Sequence, residues 1–145
     1  MMSITKNTEY ALRALYEISS FGRGKPVSRK VISERQKISE PFLEKLFIPL
    51  QKAGIINSLR GPGGGFVLGK SAGDITVWDV FSTVDSKAHF YEKCAAVTRE
   101  ECRHLKRCKI KNVWSKLNRV LRDSMAGISL EDISAENVEG GVPDG

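Results

Sequence analysis

Three cysteines, Cys94, Cys102 and Cys108, fall within fifteen residues of a polar stretch, in the spacing C-x7-C-x5-C. Cysteines that merely fill a core sit singly in apolar stripes, whereas thiols gathered in a polar segment suit metal ligation. Two chemistries fit. Zinc would take the three thiolates with His104 or His89 as a Cys3His site. An iron–sulfur cluster would take the same thiolates and one further ligand. Zinc sites usually contain a closely spaced cysteine pair, which is missing here, so the spacing leans towards iron–sulfur. Seven basic side chains between residues 93 and 111, against Glu100 and Glu101, would favour thiolates and offset the negative charge of such a cluster. An odd cysteine count also suits a reducing compartment better than a disulfide scaffold.

A second motif is false. Residues 64–71, GGFVLGKS, match the phosphate-loop pattern G-x-x-x-x-G-K-[ST]. That chemistry needs a flexible loop of backbone N–H groups running into a helix, but Phe66-Val67-Leu68 favours extended structure and Ser71-Ala72-Gly73-Asp74 opens no helix. The cysteines offer no histidine with an orienting carboxylate in a credible pocket pattern, so a thiol enzyme is disfavoured too. We expect no enzymatic activity.

Charge points instead to a polyanion. The net charge of +6 divides into +7 over residues 1–70, +4 over 71–125 and −5 over 126–145. A basic body releases counterions when it neutralises phosphates, which drives association with nucleic acid. A hydrophobic share of 41% over 145 residues is enough for one buried core. No apolar run approaches the ~18–20 residues of a membrane span, and the first ten residues lack a signal peptide's apolar stretch, so we expect a cytoplasmic protein with no membrane partner.

The elements that must position these groups follow from periodicity. Tyr10, Ala11, Ala14, Leu15 and Ile18 predict a helix over about 8–21, closed by Gly22, Gly24 and Pro26. Ser28 is a fair N-cap for a short helix through Val31, Ile32 and Arg35. After a turn, Ser39 should cap a third helix that tolerates Pro41 in its first turn and buries Leu43, Leu46, Phe47 and Leu50, with Gly54 at its end. This leaves Glu40, Pro41, Glu44 and Lys45 facing outward. Residues 55–59 and 66–68 read as two strands joined by Arg60-Gly61-Pro62-Gly63-Gly64-Gly65. Helix, short helix, turn, helix and hairpin make the order of a winged helix-turn-helix. Its second motif helix enters the major groove, and its wing can place an arginine, here Arg60, in a narrow minor groove. Ser28 and the wing glycines Gly61, Gly63 and Gly64 complete the candidate DNA surface. Beyond it, Thr76 and Asp79 form a capping-box pattern, and residues 88–109 read as a loop. From about Ile110, the positions Val113, Trp114, Leu117, Val120 and Leu121 trace a long apolar stripe. A symmetric homodimer would bury that stripe and suit a pseudo-palindromic site; packing on its own domain is the alternative.

These residues resemble a known family. Tyr10-Ala11-Leu12-Arg13-Ala14-Leu15, Ile38-Ser39, Leu43-Glu44-Lys45-Leu46-Phe47, Gly54 and Ser58-Leu59-Arg60-Gly61-Pro62-Gly63-Gly64-Gly65-Phe66 are similar to the Rrf2 family of bacterial transcription regulators, which includes IscR-type and NsrR-type iron–sulfur repressors. The match runs from about Ile4 to Ile133. The resemblance implies a winged domain with a long dimerisation helix, Ser39, Glu44 and neighbours in the major groove, and Arg60 in the minor groove. It implies Cys94, Cys102 and Cys108 as cluster ligands. The IscR type takes its fourth ligand from a histidine three residues after the last cysteine, a position that is Lys111 here. The NsrR type takes a carboxylate from the first helix of the partner subunit, and Glu9 occupies that place, with His104 as runner-up.

The expectation is therefore a mainly α chain with a small β-hairpin wing. A winged helix-turn-helix over 1–84 precedes a cysteine-containing loop over 85–109. A dimerisation helix and C-terminal segment follow over 110–134, then a flexible acidic tail over 135–145. Its function would be a homodimeric DNA-binding regulator sensing iron–sulfur status, redox state or nitric oxide. The cluster would be [4Fe–4S] by its NsrR-like ligands, with [2Fe–2S] as the other form, supplied by iron–sulfur assembly machinery. The alternative is a zinc-bound or cluster-free repressor answering to a protein partner.

Overall fold

The first helix begins on a threonine. In the computed structural model, which describes residues 5–85 and 109–135, Thr5 is extended and its hydroxyl accepts from the Thr8 N–H at 3.5 Å. The helix α1 (Lys6–Tyr16) buries Ala11, Ala14 and Leu15 completely. The α-helix expected to reach residue 21 changes at Glu17 into a π-helical turn over Glu17–Phe21. That wider turn carries two inward-facing groups, Ile18 and Glu17. The Glu17 carboxylate accepts from Arg35 Nε at 2.7 Å and from Gln36 Nε2 at 2.5 Å, while the Arg35 guanidinium also lies 4.4 Å from the Phe21 ring centroid. A buried carboxylate is tolerated only when so partnered, and this one fixes the first helix against the second.

The second helix, α2 (Arg29–Gln36), starts where expected, with Ser28 Oγ accepting from the Val31 N–H at 3.2 Å. It ends on Lys37, whose φ of 56° supplies the left-handed residue of the motif's turn. The third, α3 (Glu40–Lys52), follows Ser39, but the predicted cap is only half right: the Ser39 side chain makes no capping bond. Pro41 occupies the second helical position, so one of the two N–H groups that a capping side chain normally reaches does not exist. The same helix continues through Pro49, because its inner stripe of Leu43, Leu46, Phe47 and Leu50 is buried in the core and outweighs the one lost backbone bond. Gly54, with φ of 72°, closes it.

Two antiparallel strands, β1 (Ile56–Leu59) and β2 (Gly65–Leu68), pair Ile56 with Leu68 and Leu59 with Gly65. Four of the eight residues that match the phosphate-loop pattern thus lie in β2. An isolated hairpin is marginal in water, and this one has two further anchors. Phe66 stacks edge-on against Phe47 of α3 at 4.6 Å, and Val27 and Phe66 exchange backbone hydrogen bonds of 3.0 and 2.8 Å. Gly65 makes that exchange feasible. A Cβ there would lie 2.6 Å from the Val27 carbonyl carbon and oxygen, and its φ of 156° disfavours any side chain.

The capping box at Thr76 and Asp79 is present, with bonds of 3.1 and 2.9 Å, and opens α4 (Val77–Val84). A long helix, α5 (Lys109–Ala126), follows. The turn after it leads into a short helix, α6 (Leu130–Ala135), opened by a second reciprocal pair, Ser129 with Asp132. Leu130 is buried in the winged unit's core, and its N–H donates to the Ile75 carbonyl at 2.9 Å. The chain therefore returns to the domain it left. The last turns of α5 meet α4: Met125 packs with Val77 and Phe81, and the Arg122 guanidinium lies 5.3 Å from the Trp78 ring centroid. Ile110, Val113, Leu117 and Val120 stay 40–59% exposed, whereas Trp114 and Leu121 of the same stripe are half-buried.

Two outcomes are expected. Gly65→Ala should destabilise the fold by about 1–3 kcal/mol through forced backbone displacement at Val27, measured as a lower midpoint in urea. Hydrogen bonds from the Ser129 N–H, first, and the Ser129 hydroxyl, second, hold the Asp132 carboxyl below its usual range. A depressed folded pKa stabilises the fold above the unfolded pKa, about 3.9, and that share is lost as pH falls through the folded value. Asp132→Asn should accordingly flatten the acid limb of the stability–pH curve while leaving its slope above pH 5, roughly the upper edge of that titration, unchanged.

Candidate nucleic-acid interface and the flanks of the cysteine segment

The outward residues of the winged unit gather around the N-termini of α2 and α3 and the tip of the hairpin. Ser28 spends its hydroxyl on the α2 cap and is half-buried. Ser39, Pro41 and Lys45 are exposed along the first turns of α3. Glu40 and Glu44, four residues apart, share one cation. Arg29 Nε lies 3.6 Å from Glu40 Oε2, and its terminal nitrogen lies 3.8 Å from Glu44 Oε2. Arg29 was not among the residues singled out from sequence. Two glutamates four residues apart on one helix face repel each other weakly, which favours a nearby cation.

Arg60 stands exposed at the end of β1, without an ion pair among the described residues. The wing turn beyond it is shaped by its glycines. Gly61 and Gly63 have positive φ, and a Cβ at Gly64 would meet the Leu59 carbonyl at 2.3 Å. Their types are thus explained by the turn itself, which in turn aims Arg60. The Val27–Phe66 exchange joins this wing to the residue preceding Ser28, so wing and α2 N-terminus move as one piece.

The proposed metal ligands divide differently. Cys94, Cys102 and Cys108, with His89 and His104, lie outside the described residues, as does the acidic tail from residue 136. Among the described residues no cluster of histidine, cysteine or acidic side chains could hold a metal ion. Glu9 is described: it is half-exposed in the first turn of α1 and accepts from Arg13 at 2.6 Å. One turn away is a residue the sequence did not flag. Asp85, buried at the end of α4, accepts from the Thr5 and Thr8 hydroxyls and from Asn7 Nδ2 at 3.3 Å. It pins the point where the cysteine-bearing segment departs to the turn that carries Glu9. The far flank of that segment is α5, with its exposed apolar stripe.

Comparison with known proteins agrees with this layout. The family model for Rrf2, described as an iron-dependent transcriptional regulator, matches residues 4–136. The chain belongs to the Rrf2 family. Its relatives include the HTH-type transcriptional regulator IscR of Pectobacterium carotovorum, 38% identical over 132 residues that span 91% of this chain and 79% of that protein. IscR of Vibrio atlanticus is 36% identical over 136 residues, 94% and 77% of the two chains. Among solved structures, T. potens IscR superposes with a TM-score of 0.74 at 28% identity, covering 96% of this chain and 94% of that one. CymR, the global cysteine regulator of B. subtilis, superposes with a TM-score of 0.75 at 26% identity, covering 94% and 99%. This Rrf2 protein is therefore a winged-helix, DNA-binding transcription regulator and not an enzyme. No helix among its described residues is long and apolar enough to cross a membrane.

Proposed function

We propose that this Rrf2 regulator is a homodimeric repressor of a pseudo-palindromic operator, controlled by an iron–sulfur cluster on Cys94, Cys102, Cys108 and Glu9 of the partner subunit. The observation that carries the reading is what flanks the cysteines. On one side α4 ends at Asp85, bonded to the turn that bears Glu9; on the other stands a helix whose stripe residues Ile110, Val113, Leu117 and Val120 are exposed. A second copy packed on that stripe supplies the cover and a symmetric pair of winged units. The relatives named IscR and the iron-dependent family description support an iron-linked regulator.

The donor set suits such a group. Three thiolates with one carboxylate make an anionic, sulfur-rich site, which the basic side chains between residues 93 and 111 would compensate. When bound, the cluster supplies redox and nitric-oxide reactivity that protein side chains lack. A [4Fe–4S] centre, delivered by iron–sulfur assembly machinery, is favoured by the oxygen ligand. The protein's own part is mechanical. Glu9 pairs with Arg13 when it is not a ligand, so recruiting it breaks that pair and pulls on α1. Through Glu17 and its bonds to Arg35 and Gln36, α1 is tied to α2, and so to the DNA-facing corner. A differential of about 1–3 kcal/mol between cluster-bound and cluster-free dimers changes operator occupancy severalfold to a hundredfold. The domain scheme is a winged unit over 1–84, a ligand-bearing segment over 85–109 and a dimerisation helix from 110. It needs one addition, because α6 belongs with the winged core.

Anaerobic purification tests the reading. A brown dimer with acid-labile sulfide, resolved by native mass spectrometry or Mössbauer spectroscopy, is expected; a colourless, zinc-bearing or metal-free protein would establish the alternative. Glu9→Ala should alter the visible spectrum and hasten cluster loss in air, and an unchanged cluster would remove Glu9 from the ligand set. At the wing, Arg60→Ala should weaken operator binding by about tenfold or more while affecting random duplex less. Equal losses on both would make Arg60 a plain phosphate contact.

A further inference from the structure

Two carboxylates on the DNA-facing end of α3 are an unusual choice, because each repels the phosphates that the rest of the basic surface attracts. Glu40 and Glu44 are respectively 45% and 62% exposed, and the one cation ion-paired with them among the described residues is Arg29. Neither separation, 3.6 or 3.8 Å, is a hydrogen bond. Arg29 Nε is moreover buried without a hydrogen-bond acceptor. The guanidinium is thus held by the α2–α3 corner between two acids, close enough to neutralise either and committed to neither.

We propose that Arg29 is a positioning residue for base reading by α3. It holds Glu44 ready to accept from the N4 amino group of a cytosine in the major groove, and shifts onto Glu40 as Glu44 engages the base. A carboxylate is acceptor-only, so it suits the N4 donor of cytosine and is repelled by the acceptors of guanine, by thymine O4 and by the N7 that adenine sets beside its N6 donor. Such a group raises selectivity by excluding wrong bases, at some loss of overall affinity. Arg29 limits that loss without abolishing it, since one positive charge faces two negative ones. The planar guanidinium can address both carboxylates at once, which a lysine ammonium does less well. The inference rests on α3 being the major-groove helix but not on the cluster.

The test uses the full-length protein and DNA it selects for itself. Wild-type protein first enriches a duplex from a randomised pool. Fluorescence anisotropy then compares that duplex with a scrambled one of equal length. The enriched sites should share a fixed cytosine in each half-site. Arg29→Ala should lose about tenfold or more on the selected duplex, the size of one good base contact, and little on the scrambled one. It should also relax the preference for that cytosine. Arg29→Lys should fail to restore the preference, and Arg29→Ala combined with Glu44→Ala should bind no worse than Arg29→Ala alone. If Arg29→Ala does not fold, Arg29→Gln carries the same comparison. Equal loss on both duplexes, a salt slope reduced by about one and rescue by lysine would make Arg29 a phosphate contact and overturn the proposal. A pool without a fixed cytosine would remove base reading by Glu44 itself, whereas a fixed cytosine unaffected by Arg29 variants would remove Arg29 alone.

Discussion

The exchange of two backbone hydrogen bonds between Val27 and Phe66 is the constraint on which the DNA-facing surface depends. A two-stranded hairpin has too little buried area to hold itself in place, and a wing that wanders cannot aim a side chain into a groove. Here Phe66 is fixed three ways at once: by strand pairing with Ser58, by its ring against Phe47, and by the backbone of Val27. The next residue after Val27 is Ser28, the cap of α2, and Phe47 lies within α3. One short segment of β2 therefore sets the wing, the α2 N-terminus and the recognition helix relative to one another. Gly65 is the condition for it, because only a residue without a side chain lets β2 approach Val27 so closely.

A frame that rigid allows a recognition surface to carry charges of the wrong sign. Residues 1–70 hold a net +7, and nonspecific attraction to phosphate needs no more than that. Spending two exposed glutamates on the same face sacrifices some of the attraction. The sacrifice is useful only if the glutamates are placed well enough to discriminate among bases. In the proposed reading, Arg29 between them and Arg60 beside β1 divide the work: one would temper acids facing the major groove, the other would supply the cation that a narrow minor groove favours.

Most of what local chemistry dictates could be read from the sequence. The buried stripe of α3, the Ser28 cap, the Thr76–Asp79 capping box and the left-handed Gly54 depend on residues within a turn of one another, and each is found in place. What escaped depends on partners brought together by folding. Glu17 looks like a surface acid until Arg35 and Gln36, eighteen and nineteen residues on, close over it. Asp85 meets Thr5 and Thr8 across about eighty residues, with no periodic pattern to announce it. Ser39 failed as a side-chain cap because its neighbour Pro41 withdrew a donor, which is local but opposes the usual preference. Arg29 lay in plain sight beside Ser28. Its meaning came only from α3 turning Glu40 and Glu44 towards it.

The same distinction explains how a signal could travel through so small a chain. Local elements such as the capped helices are set by their own sequences and have little reason to change with conditions. Long-range polar ties are different, because each joins elements that could otherwise part. Asp85 ties the end of α4 to the first turn of α1, and Glu17, opening the π-helical turn that continues α1, ties it to the end of α2. These ties lie in series along one helix, and both are made by buried carboxylates. A buried carboxylate strongly disfavours losing its partners, so α1 is held at both ends and would act as a strut under load. Any ligand that draws on Glu9 pulls at one end of that strut. The other end bears on the helix that starts at Ser28 and Arg29, which is where base selection is argued to reside.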